Sequence, residues 1–141
     1  MKNKIKKIAL CGSMMFAKEM LQIKKKLEAI NINVNIQEDA EEFAEGKRTN
    51  ENKWQKIKHD PFKTYFNVIK NSDAILVVNI DKRKVKNYIG ANTLIEMAFA
   101  HILGKRIILL NPIPNMHYTD EIKAMKPIVI NAQLNKIKEV N

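Results

Sequence analysis

The chain has 141 residues, 45% hydrophobic and 28% charged, the balance of one soluble globular domain and too short for two ordinary ones. A single cysteine, Cys11, excludes an internal disulfide framework and a Cys-rich zinc site, and it suits a reducing compartment. The formal charge of +10, from 25 Lys plus Arg against 15 Asp plus Glu, raises polyanion binding as a reading. Arg occurs only at 48, 83 and 106, however, and Lys, Asn and Ile share A/T-rich codons. Aromatic residues make up 6% of the chain and mostly stand alone, without the stacking platforms of a nucleic-acid surface. Composition bias accounts for the charge, and nucleic acid is not the expected partner.

The run Lys2 to Lys7 followed by Ile8 to Cys11 looks like the start of a signal peptide, but Gly12-Ser13 interrupts it and no small-x-small site follows. No stretch approaches the roughly 20 apolar residues needed to span a bilayer. A cytoplasmic location without membrane contact is expected.

Lys7 to Cys11 predicts a buried strand that ends at a Gly12-Ser13 turn. Met14 to Ile30 carries apolar residues at helical spacing with lysines opposite. Ile32, Val34 and Ile36 alternate with polar neighbours, the period of an edge strand with one solvated face. Residues 38–58 run from an acidic block to a basic one and are expected to be a mobile lid or partner-contact segment. A helix is predicted over 61–70, with Asp60 as N-cap and Pro61 at its first position. Asp73 to Ile80 is an apolar, β-branched run, as in a central parallel strand covered on both faces. A polar loop, 81–88, leads to a helix over 90–103 that stops at Gly104; then come a strand at 106–110, a short helix at 118–125 and a last strand at 127–130. Five strands alternating with helices require a doubly wound α/β domain with a parallel sheet, one domain over residues 1–141.

Ligands bind such sheets beyond the carboxyl ends of the strands. The loops there make Gly12, Ser13, Asn79, Gly90, Asn92 and Thr93 candidate substrate contacts. Ser13 either caps the following helix or offers its hydroxyl to an anion at the helix N-terminus. Glu96, in an otherwise apolar helix, has two readings. Thr93-x-x-Glu96 fits a capping box, and a carboxylate held anionic by the helix dipole and aimed at the cleft fits chemistry. Cys11 is either a thiol of lowered pKa or a small buried apolar residue. His101 reads as a core or interface histidine, and His59 and His117 lack metal-ligand spacing. Neither a metal nor a cofactor is expected.

Three blocks, Cys11-Gly12-Ser13, Ser72 to Val78, and Gly90 to Ala100 leading into Gly104 to Ile107, resemble the nucleoside 2-deoxyribosyltransferase-like family, which includes 2'-deoxynucleoside 5'-phosphate N-hydrolases. The resemblance implies a five-stranded parallel sheet of flavodoxin-like order 2-1-3-4-5, homo-oligomeric assembly, and a small nucleoside or nucleotide as partner. It implies that Glu96 is the nucleophile that attacks the anomeric carbon, and that Ser13 lies near a 5'-phosphate. The chain departs from that pattern in two places. Gly90 stands where the family has Asp or Ser, and Tyr65 stands where the hydrolases carry an aspartate that serves the leaving base. Asp60 and Asp81 are stand-ins for that acid, Asp81 the better placed at a strand end. A carboxylate beneath the sugar stabilises an oxocarbenium-like state and can trap it covalently. The expected activity is N-glycosidic cleavage of a (deoxy)nucleoside or its 5'-monophosphate, with hydrolysis favoured over base exchange. A non-catalytic nucleotide-binding module and a polyanion binder are the alternatives.

Overall fold

The parity of the apolar residues along each strand determines which side of the sheet they cover. In the computed structural model, which describes residues 3–47 and 60–141, β1 (Lys7–Cys11), β2 (Asn33–Asn35), β3 (Ala74–Val77), β4 (Arg106–Leu109) and β5 (Ile128–Val129) form one sheet in the order β2-β1-β3-β4-β5. All four pairings are parallel. The architecture is the expected doubly wound α/β sheet, with β2 at one edge. Successive side chains of a strand point to opposite faces. Ile8, Leu10, Leu76 and Ile108 therefore meet α1 (Ala17–Ala29) and the terminal 3-10 turn (Leu134–Glu139) on one face. Ala9, Cys11, Ile75, Val77 and Leu109 meet α3 (Pro61–Lys70), α4 (Ala91–Ile102) and α5 (Thr119–Ala124) on the other. Met20 and Leu27 of α1 and Ile69 of α3 are fully enclosed, each contributing about 1.5–3 kcal/mol by burial.

Several boundaries shift for local reasons. The helix expected from Met14 opens as a 3-10 turn (Met14–Phe16) and becomes regular at Ala17. The first part of the 38–58 segment is ordered: α2 (Ala40–Ala44) buries Ala40. Residues 48–58, the rest of that segment, and His59 lie outside the described residues. Asp60 caps α3 as expected, its Oδ1 accepting from the Lys63 N–H at 3.1 Å, with Pro61 behind it. Gly104 takes φ +70°, the left-handed conformation that ends α4.

The chain ends are tied to the sheet by polar groups. Asp73 Oδ2 accepts from the Lys6 and Lys7 N–H groups at 2.8 and 2.9 Å. Buried Arg106 donates through Nη1 to Asn3 O at 2.7 Å and Val140 O at 3.4 Å. Among the described residues no helix is long and apolar enough to cross a membrane.

Candidate active site at the carboxyl edge of the sheet

Residue 11 has the parity that points towards α3 and α4, and this brings four polar side chains from distant parts of the chain together. Cys11 ends β1, Gln37 follows β2, Tyr65 lies on α3 and Glu96 on α4. Gln37 Nε2 donates to Glu96 Oε2 at 3.1 Å. The Tyr65 hydroxyl donates to Leu10 O and also lies 3.4 Å from Asn35 O, joining the ends of β1 and β2. Glu96 is 5% exposed. Burial pushes its pKa up to about 8, against the pull of the Cys11 thiol and the Gln37 amide, both of which favour the anion. Burial and the adjacent Glu96 push the Cys11 thiol well up. Burial, with Cys11 and Glu96 close by, does the same to the Tyr65 phenol. Cys11 is thus a buried, neutral thiol, and the alternative of a lowered pKa is corrected.

The capping-box reading of Thr93 and Glu96 also fails. Gly90 is the N-cap of α4, with extended backbone (φ −84°, ψ 176°), and Leu94 N donates to Gly90 O at 2.9 Å. Thr93 is therefore the third residue inside the helix, buried beside Glu96, Met97 and Ala100. Glu96 falls beyond the first turn, where the helix dipole fades, so its carboxyl group is not kept anionic by the dipole as expected. It points to the strand ends and not back to the helix backbone.

The other sequence candidates occupy varied places. The Ser13 hydroxyl accepts from Met15 N–H at 3.3 Å, capping the 3-10 turn. At Gly12 a side chain would meet Val78 O at 3.2 Å and Met20 Sδ at 3.3 Å, so this turn needs a bare backbone against β3. A Cβ at Gly90 would lie 3.0 Å from the Tyr88 hydroxyl, so the glycine gives the tyrosine side chain space beside it. Lys82 Nζ sits 4.5 Å above that Tyr88 ring, and the Tyr118 hydroxyl donates to Ile89 O. Asn79, wholly buried, clamps the loop after β4. Its Nδ2 donates to Asn111 O and Pro112 O at 2.9 and 3.1 Å, its Oδ1 accepts from Asn111 N–H at 2.9 Å, and Asn111 Nδ2 returns a bond to Asn79 O at 3.0 Å. Its side chain serves the fold, not an open cleft. Asp81 is exposed, its Oδ1 accepting from Asn87 N–H at 3.0 Å to close a turn. Among the described residues no hydrogen bond links it to Glu96. Asn92 is exposed on the first turn of α4, and His101 is exposed rather than in the core. Among the described residues no group of three or more His, Cys, Asp and Glu could hold a metal ion.

Sequence reading missed Gln37 and the participation of Tyr65. Gln37 carried only a weak signal, a polar residue one step beyond an alternating strand. Tyr65 registered as a missing aspartate, whereas its length lets it reach the backbone of two strands.

No family model and no curated protein matches the chain. Among solved structures it is similar to a 2-deoxyribosyltransferase from the psychrotolerant bacterium Bacillus psychrosaccharolyticus, a biocatalyst for nucleoside synthesis. The two share 16% identity with a TM-score of 0.61, and the match covers 96% of this chain and 92% of that one. At that identity the likeness is one of fold: the chain has the sheet order and flanking helices of that transferase.

Proposed function

We propose that this protein cleaves the N-glycosidic bond of a (deoxy)nucleoside or nucleoside 5'-monophosphate, with Glu96 as nucleophile and water as the acceptor. The observation that carries the reading is the Glu96 carboxyl group. It is buried at the carboxyl edge of a parallel sheet, held by Gln37 at one oxygen, and poised to change charge near pH 8. Ionising a carboxyl group in so dry a place is costly, and so perturbed a group at the strand ends is a candidate for chemistry. In the proposed reaction the Glu96 oxygen bonds the anomeric carbon as the C–N bond breaks, and water then hydrolyses the glycosyl ester. Because Gln37 covers the carboxyl group, the sugar enters by displacing that amide, and the pentose takes over the contact. The Ser13 hydroxyl accepts from Met15 N–H and keeps its own proton to donate to a 5'-phosphate. Gly12, Gly90, Asn92 and Thr93 border the same edge as backbone and side-chain contacts. Protonation of the leaving base falls to Asp81 or to solvent, which makes a slow enzyme, since a placed general acid contributes about 10²–10⁴-fold.

The test is incubation with deoxynucleoside monophosphates at pH 8 to 9, where Glu96 is ionised, and chromatography of free base. Release by the wild type and none by Glu96→Gln supports the reading; equal release by both, or none by either, defeats it. The closed, protonated state of Glu96 below pH 8 favours a second reading, a nucleotide-binding module without turnover. That module would be stabilised thermally by a nucleotide and would yield no base.

A further inference from the structure

The loop that follows β3 carries four cations in five residues, Lys82, Arg83, Lys84 and Lys86, and it is a folded hairpin rather than a loose charge run. The Lys82 N–H donates to Val85 O and the Val85 N–H donates to Lys82 O, both at 3.0 Å. Arg83, at φ +56°, and Lys84 therefore form a two-residue tip. At the base, the Tyr88 N–H donates to Ile80 O at 2.9 Å, and Lys82 Nζ lies over the Tyr88 ring. Ile80 and Tyr88 in turn pack on the core cluster that holds Phe16 and Met20, so the hairpin has a fixed root. The segment's one carboxylate, Asp81, accepts from the Asn87 N–H, and among the described residues Arg83, Lys84 and Lys86 form no ion pair. All three are exposed. Like charges crowded on a fixed turn repel one another, and a bound anion relieves that repulsion.

We propose that this hairpin holds the outer phosphates of a nucleoside di- or triphosphate, which rests on the reading that a 5'-phosphate lies at Ser13. β1 and β3 are neighbours, the Val78 N–H donates to Cys11 O at 2.8 Å, and a Cβ at Gly12 would lie 3.2 Å from Val78 O. The turn that carries Ser13 and the strand end that leads into the hairpin are thus in backbone contact, and a phosphate chain that starts at the first continues towards the second. Two observations favour a polyphosphate over a nucleic-acid strand. The cations gather on one compact tip, whereas a strand needs a groove along which successive phosphates and bases are held. Tyr88, the segment's one aromatic residue, has Lys82 over its ring and is not free as a stacking platform. A monophosphate ends at Ser13 and leaves the hairpin without a partner, so the substrate class carries two or three phosphates.

Calorimetric titration in metal-free buffer with inorganic tripolyphosphate and with the mono- and triphosphate of one deoxynucleoside tests it. Wild type binds the nucleoside triphosphate about 10-fold or more tighter than the monophosphate, and binds tripolyphosphate alone. Lys84→Glu/Lys86→Glu, at exposed positions that leave the fold intact by circular dichroism, lowers affinity for both triphosphates by about 30-fold or more and for the monophosphate by less than about 3-fold. Lys25→Glu/Lys26→Glu, at exposed positions near the end of α1, makes the same change of net charge at the opposite edge of the sheet and leaves triphosphate binding within about 3-fold. Equal affinity for mono- and triphosphate, equal losses in the two double variants, or tighter binding of a single-stranded oligodeoxynucleotide than of the triphosphate would overturn the inference. Cleavage is read separately, by base release from the monophosphate: release without a triphosphate preference overturns the inference and leaves that reaction standing, and triphosphate binding at the hairpin without release does the reverse.

Discussion

Two buried polar clusters lie at the carboxyl edge of one sheet and behave oppositely. The Asn79 and Asn111 clamp is made of neutral groups in which each amide donor and acceptor meets its complement, four bonds that close one loop on another. The Glu96 cluster contains an ionisable group with an amide at one oxygen and a thiol beside it, and burial outweighs both in setting its pKa to about 8. Satisfied neutral groups lock a structure and have no further response to pH. Among the described residues no cation pairs with the Glu96 carboxyl group, which keeps a proton that the solution can remove. The edge thus holds one cluster that is indifferent to pH and one that responds to it, and the difference is charge rather than depth.

The largest effect that would sharpen this contrast is on turnover. Glu96→Gln, nearly the same shape and unable to form a stable glycosyl ester, is expected to lower base release by roughly 10³-fold or more, measured in single-turnover assays, with its circular dichroism unchanged. Next is stability against pH. The folded pKa of Glu96 is raised above its ordinary 4.5, so its contribution is fully present below that value and is lost as pH rises through about 8. The loss is of order 5 kcal/mol at most. Urea titrations from pH 5 to 9 should show wild type weakening while Glu96→Gln does not; parallel profiles for the two proteins would refute a costly buried charge. Third, Asn79→Ala removes the partner of the half-buried Asn111 N–H and of the Asn111 and Pro112 carbonyls. It should cost about 2–3 kcal/mol at every pH in that range, and a pH-dependent loss would break the distinction between the clusters. The smallest effect belongs to Cys11→Ala. Removing the thiol that favours the Glu96 anion should move the rising limb of the pH–rate profile upward by less than about one unit, and a downward shift would count against its place beside the carboxyl group.

Much of the fold was legible in residue order because its signals are local and repetitive. The β-branched run Ala74 to Val78 needs cover on both faces, and the stops at Gly12 and Gly104, with Asp60-Pro61 as a start, are short-range steric facts. The α4 boundary was harder. Thr93 and Glu96 have capping-box spacing, yet the helix begins at Gly90, three residues earlier, with extended backbone and no side-chain cap. Residues 38–47 read as irregular, and their helix depends on burying Ala40 against the rest of the domain, which no window of sequence displays.

For the site, the pattern of an acidic residue in an apolar helix was enough to single out Glu96, since a carboxyl group there needs a reason. Its protonation was not readable. That depends on burial, opposed by Cys11 and Gln37, which strand parity and the end of a neighbouring strand bring beside it. Periodicity along a chain determines which residues leave water. Which of them then meet, and hence what a buried carboxyl group costs and can do, is set by contacts between residues far apart in the chain, and only the assembled sheet and helices decide it.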